Sequence, residues 1–277
     1  MNRTFAIWRL SDTYIKLNTR CDYTYHSIIP VPPMSNLPET IPETLTKFIN
    51  VIRGLDPEPH GSKIILLREP EVLQWLFGDL SFLPLLPLTE GKTKKKDDGE
   101  YKQKIEKEWG QNMLEKRRPD LKKHGQWTTK LGEHITEEFM ILMGKTPKKP
   151  VIIDGYSPDV EVEDAMWEAK AQTYYTPGTA GEKILGVPMK YADVPELYNK
   201  PLKILCIGCA EKLCREKYGN LCSVRTTAKK QKFIDFYKEN GIEWVGATEL
   251  IRQILNNGDN GDNANNANNA NNANNTV

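Results

Sequence analysis

Residues Met166-Trp167-Glu168-Ala169-Lys170-Ala171-Gln172-Thr173 alternate in character from one position to the next. Strand side chains point alternately to opposite faces. The pattern therefore sets Glu168, Lys170 and Gln172 on one face, and Trp167, Ala169 and Ala171 on the other, where they can pack on a helix. Just upstream, Ser157-Pro158-Asp159-Val160-Glu161-Val162 is a second strand-prone run, separated from the first by Glu163-Asp164. A tight turn there places position 159 opposite position 168, so Asp159 and Glu168 become cross-strand neighbours. A slip of one residue would turn one of the carboxylates to the other face.

Two neighbouring carboxylates repel each other unless a proton or a cation intervenes. Mg²⁺ prefers oxygen ligands and keeps waters and substrate phosphate oxygens. It acidifies a bound water and stabilises charge on a phosphate under attack. Lys170 can orient that water or help deprotonate it, and the Ala169 carbonyl can reach the same ion. The spacing alone supports an exposed charged hairpin equally well. Two look-alikes fail on structural grounds. Asp79 with Glu90-Gly91-Lys92 is interrupted by Pro84 and Pro87, and no Glu-x-Lys follows Pro119-Asp120 at a suitable distance.

The surrounding patterns predict a mixed core. Leu131, Ile135, Phe139 and Leu142 repeat at helical spacing, with Gly144 to end the helix. Residues 150–155 read as a strand, 159–163 and 166–173 as the hairpin, and 182–198 as helix broken near Pro188. A strand over 201–208 follows. Residues 229–240 read as an amphipathic helix with Phe233 and Tyr237 inward, stopped by Gly241; then come a short strand at 242–245 and a helix at 247–255. The order defines an α/β (α+β) class, a central mixed sheet flanked by helices. Upstream, 43–52 and 71–77 read as helices and 63–67 as a short buried strand. The expected division is a mostly helical, Pro-broken N-terminal accessory or DNA-recognition region (1–90), a charged link with helix around 101–115 (91–123), the core (124–256), and an Asn/Ala-rich end (257–277) too poor in apolar groups to order itself.

The formal net charge is +1, but residues 91–123 hold twelve Lys/Arg against seven Asp/Glu. Local charge matters more than the sum for a nucleic-acid partner. No run of about 18 apolar residues suggests a membrane span, and Met1-Asn2-Arg3-Thr4-Phe5 lacks a signal-peptide pattern; an intracellular setting is expected, cytoplasmic, or nuclear if the source is eukaryotic or viral. Cys206, Cys209, Cys214 and Cys222 raise a zinc site, but the second pair is widely spread and Cys206 lies in an apolar run, which favours plain thiols.

The Pro158-Asp159…Glu168-Ala169-Lys170 motif resembles the signature of the PD-(D/E)XK nuclease superfamily. The order of elements from Trp127 to Leu255 is similar to its restriction-endonuclease-like core, and the block Gly178–Tyr191 looks like type II restriction endonucleases. The resemblance covers about half of the chain. It implies Mg²⁺-dependent cleavage of double-stranded DNA, with Mn²⁺ able to substitute, leaving 5′-phosphate and 3′-hydroxyl ends. It implies Asp159 and Glu168 as metal ligands with the Ala169 carbonyl, Lys170 as the water-activating residue, Gln172 beside the water or a phosphate, and Glu133 as an extra ligand, with Glu137 one turn away as the alternative. Gly178, Gly181, Lys183 and Lys190, and the basic group Arg225, Lys229, Lys230 and Lys232, are candidate DNA contacts; Arg117, Arg118, Lys122 and Lys123 form another. Cutting both strands of a palindrome favours a homodimer. A repair or junction-resolving nuclease of the same superfamily, and a non-catalytic DNA-binding protein, are the alternatives.

Overall fold

The computed structural model describes residues 41–55, 63–85, 95–121, 126–175 and 180–256. The Asn/Ala-rich end, the first forty residues, Gly178, Lys122 and Lys123 lie outside them. Four helices come first: α1 (Ile41–Gly54), α2 (Pro70–Phe77), α3 (Lys95–Arg117) and α4 (Trp127–Leu142). The hairpin β1 (Val160–Glu161) and β2 (Met166–Gln172) follows, then α5 (Ala180–Lys190), α6 (Val194–Tyr198), β3 (Leu202–Gly208), α7 (Cys209–Leu213), α8 (Ala228–Glu239) and β4 (Ile242–Gly246). A closing helix spans 247–256. The fold is α+β: a four-stranded mixed sheet in the order β1-β2-β3-β4, flanked by helices. β1 is antiparallel to β2, and β2, β3 and β4 run parallel. No helix among the described residues is long and apolar enough to cross a membrane.

The alternation in β2 sorts its side chains as its sequence implies. Trp167 belongs to a core shared with α1 to α4, β3 and the closing helix, and Ala169 and Ala171 pack against it. Met166 faces the other way, into a cluster with Val187 and Tyr191 at the α5 end and Ile204 of β3. Gly132 lets α4 approach β2 closely: a Cβ there would meet the Ala171 Cβ at 3.0 Å. On the opposite face, α5 tolerates Pro188 near its end. Proline lacks the N–H that would bond the Ile184 carbonyl, and Trp244 Nε1 donates to that carbonyl instead, at 3.3 Å.

Three sequence expectations are corrected. Residues 150–155 do not form a strand. Asp154 (φ 49°) and Gly155 (φ 81°) make a tight turn closed by the Ile153–Tyr156 bridge, as an Asp-Gly pair favours. Val151 and Ile152 stay 75% and 67% exposed, while Lys148 alone bridges Glu161 of β1, with 2.9 Å hydrogen bonds in both directions. Ile64, Leu66 and Leu67 are buried, but the 63–67 segment pairs with no strand. The N–H groups of Ile65, Leu66 and Leu67 donate to the Glu138 carboxylate of α4 at 3.0, 2.8 and 2.8 Å. In α8 the inward stripe runs through Gln231, Ile234 and Tyr237, so Phe233 lies outside it, 59% exposed. Tyr237 does turn inward, against Trp244 at 5.6 Å between ring centroids.

Buried carboxylates tie distant segments together. Glu106 of α3 is fully buried; it accepts from Trp75 Nε1 at 2.9 Å and from the Tyr174 and Tyr175 N–H groups at 2.9–3.0 Å. α3 is thus more than a charged link, since it holds the chain where it leaves β2. Glu211 of α7 does the same for the closing helix, accepting from Thr248 N–H at 3.0 Å. Glu106→Ala would orphan the buried Trp75 Nε1 and the half-buried Tyr174 and Tyr175 N–H donors, and leave a cavity. A loss of about 3–5 kcal/mol is expected, read as a lower midpoint in urea unfolding; an unchanged midpoint would remove Glu106 from this role.

Candidate active site

β1 is short, and its end builds the site. The Asp159 N–H donates to the Trp167 carbonyl at 3.0 Å. The Asp159 carboxylate then accepts from the Ala169 N–H at 2.8 Å, standing in for the strand carbonyl that would otherwise continue the ladder. The register Val160↔Trp167 extends by one step to set position 159 opposite 168, as the turn at Glu163-Asp164 predicts.

Glu168 is 4% exposed. Its Oε1 accepts from Lys170 Nζ at 2.5 Å, and Lys170 also reaches the Ala169 carbonyl at 3.2 Å. Its Oε2 has no hydrogen-bond partner. Burial, and next the Glu168 charge, push Asp159 up to about 6; the Ala169 N–H and Lys170 oppose this, and Glu133 adds a smaller push. Glu133 is thus within electrostatic reach of Asp159, although it pairs with Lys130 at 2.6 Å. Glu137 pairs instead with His134, at 2.7 Å.

Gln172 shares the face of Glu168 and Lys170 but is 8% exposed, with Oε1 unpartnered. It does not line the pocket that opens beside the two. That pocket, about 340 Å³, is walled by Glu168, Lys170, Lys183, Gly186, Val187, Lys190 and Tyr191. The structure therefore brings Lys183 and Lys190 to the Glu168–Lys170 pair. Arg225 precedes α8, Lys229 and Lys230 stand in its first turn, and none of the three is in the pocket's walls. Arg225 and Lys230 turn to local carbonyls, Glu216 O and Arg225 O, both at 3.2 Å.

Tyr191 has no role in the sequence reading, yet it stands in this wall, 6% exposed. Burial first, then the Glu168 charge, push its hydroxyl up to about 12, with Lys170 opposing. Lys190 Nζ donates to the Tyr191 hydroxyl at 3.2 Å. The available signal was helical spacing: Ile184, Val187 and Tyr191 form one apolar stripe, flanked by Lys183 and Lys190.

Among the described residues, no three His, Cys, Asp or Glu side chains converge on a ready metal cage. Cys206, Cys209 and Cys214 are free and buried, with the Cys206 and Cys214 Sγ atoms 3.6 Å apart, whereas Cys222 is disulfide-bonded rather than the plain thiol expected. What the hairpin offers a cation is two close carboxylates, one with a bare buried oxygen, and the Ala169 carbonyl beside them. Such an incomplete oxygen set leaves room for waters, which suits a small hard ion. Compared with known proteins, the chain matches no family model, no curated protein and no solved structure.

Proposed function

We propose that this chain is a Mg²⁺-dependent, sequence-specific endonuclease of type II restriction kind, acting on double-stranded DNA through a PD-(D/E)XK core. One observation carries the proposal. Asp159, Glu168 and Lys170 meet at the end of a hairpin, and the last two open on a pocket that Lys183 and Lys190 also wall. Two carboxylates, one of them raised by burial and then by the charge of the other, favour a cation between them. Asp159, Glu168 and the Ala169 carbonyl would hold Mg²⁺, with Glu133 as an outer contributor. Once bound, the ion supplies an acidified water and charge stabilisation at phosphorus.

The chain's own groups do the rest. Lys170, held as an ammonium against Glu168, orients the attacking water, whose proton passes to solvent. Attack at phosphorus breaks the bond to the 3′ oxygen, giving a 3′-hydroxyl and a 5′-phosphate. Gln172 supports the same face from beneath. Lys183 and Lys190 hold the strand at the pocket, and Arg225, Lys229 and Lys230 contribute backbone contacts elsewhere. Two copies, one per strand, would make a double-strand cut, within an intracellular restriction system. Purified chain with Mg²⁺ and a plasmid should yield discrete fragments whose ends carry 5′-phosphates, and a chelator should stop the reaction. Intact plasmid over a range of sequences, with Mg²⁺ or Mn²⁺, would overturn the proposal.

A further inference from the structure

Along α5, Lys183, Gly186 and Lys190 are spaced by three and four residues and form one stripe on the pocket wall. Lys170 is neutralised by Glu168. Among the described residues, neither Lys183 nor Lys190 has a carboxylate within ion-pair distance. The pocket therefore presents two uncompensated ammonium groups beside the Glu168–Lys170 pair.

Gly186 stands between those lysines. A mid-helix glycine costs about 1 kcal/mol relative to alanine. No close packing requires it, because a Cβ there would meet nothing within 4 Å. The glycine keeps a notch open where a ligand's backbone can approach the helix. Tyr191, in the same pocket wall, adds a hydroxyl already bonded to Lys190. Glu168, one of whose buried oxygens has no hydrogen-bond partner, lines the same pocket.

We propose that Lys183, Gly186, Lys190 and the Tyr191 hydroxyl form a seat for a second phosphate of the bound strand, the one flanking the phosphate that is cut. The inference rests on the nuclease reading and assigns its neighbouring subsite. Ammonium groups bind phosphate as point charges, and the open helix face between them admits the anion. A bulkier anionic ligand unrelated to the strand would not need to lie beside Glu168 and Lys170. Tyr191 is here a binding residue for the flanking phosphate rather than a ligand of the cation.

Full-length Lys190→Gln, Gly186→Leu and Tyr191→Phe variants test this against the unaltered chain. The readouts are metal-free binding of a fluorescein-labelled DNA duplex over a salt series, thermal unfolding, and cleavage. Lys190→Gln should weaken binding and lower the slope of log Kd against log salt by about 1. Gly186→Leu should weaken binding while unfolding at the same temperature or higher, since leucine is the better helix former. Tyr191→Phe keeps the packed ring and should weaken binding with the slope unchanged, since the hydroxyl carries no charge. A single neutral methylphosphonate, moved along the duplex, should reduce affinity at the flanking position in the unaltered chain but not further in Lys190→Gln. Unchanged binding and slope in all three variants, in a chain that still cuts DNA, would overturn the seat alone. An unaltered chain that neither binds nor cuts DNA would overturn the nuclease reading and the seat with it. If Tyr191→Phe alters only the Mg²⁺ requirement of cleavage, Tyr191 serves Glu168 and the seat is overturned.

Discussion

Lys170→Ala is expected to lower DNA cleavage by about 10²–10⁴-fold, measured as initial rate on a plasmid at saturating Mg²⁺. The amine lies 2.5 Å from Glu168 Oε1 and 3.2 Å from the Ala169 carbonyl. It therefore stands over both groups that would border a bound ion, where an attacking water would sit. The substitution also acts on the fold. Glu168 is 4% exposed, and removing its cation leaves a buried carboxylate uncompensated, at a cost of about 3 kcal/mol. Added Mg²⁺ should recover much of that stability, because the ion takes over the charge, while cleavage stays lost. Recovery of the fold without recovery of the rate separates a catalytic ammonium from a merely structural one. Lys170→Arg should not restore cleavage, since a planar guanidinium fork does not reproduce the placement of a compact ammonium over the water. Full-rate cleavage by folded Lys170→Ala would remove Lys170 from the chemistry.

Asp159→Asn should raise the stability of the metal-free protein near neutral pH and abolish cleavage. The folded state holds Asp159 up to about 6, against an ordinary value of 3.8, through burial and the Glu168 charge. A raised carboxyl favours protonation in the folded state. Its contribution to stability is therefore lost as pH rises from about 4 to about 6, on the order of 2–3 kcal/mol. Asparagine escapes that penalty, and its amide oxygen can still accept the Ala169 N–H bond. Urea unfolding at a series of pH values should show the decline in the unaltered chain and its loss in Asp159→Asn. Mg²⁺ should stabilise the unaltered chain, more at pH 7 than at pH 5, because the ion needs the ionised carboxylate. The variant should respond weakly. Equal Mg²⁺ stabilisation of both proteins would move the metal site away from Asp159.

The hairpin was legible because it is local. Alternation in β2 and the break at Glu163-Asp164 specify which side chains share a face and which positions oppose each other. A slip would have buried Glu168, Lys170 and Gln172 against α4 in place of Trp167, Ala169 and Ala171. Helical spacing likewise exposed α1, α2, α4 and the closing helix. Apolar runs without a partner misled: 150–155 has the composition of a strand, yet the Asp154-Gly155 turn folds it on itself. Ile64, Leu66 and Leu67 of the 63–67 run are buried as expected, but its donors are taken by a glutamate about 70 positions along the chain. No local pattern records such a partner.

The candidate site divides the same way. Residue order alone determined that Asp159, Glu168 and Lys170 would gather at one end of a small sheet, because a two-residue period and a tight turn leave little freedom. Tertiary structure decided the rest: that α5 lies over the same face, so that Lys183, Lys190 and Tyr191 wall a pocket with Glu168, and that Glu106 of α3 holds the chain where it leaves β2. Parallel strands must be joined by a crossover, and where its helix comes to rest depends on the packing of Val187 and Tyr191 against Met166 and Ile204. Those contacts join residues 13 to 25 positions apart, beyond the reach of any local periodicity.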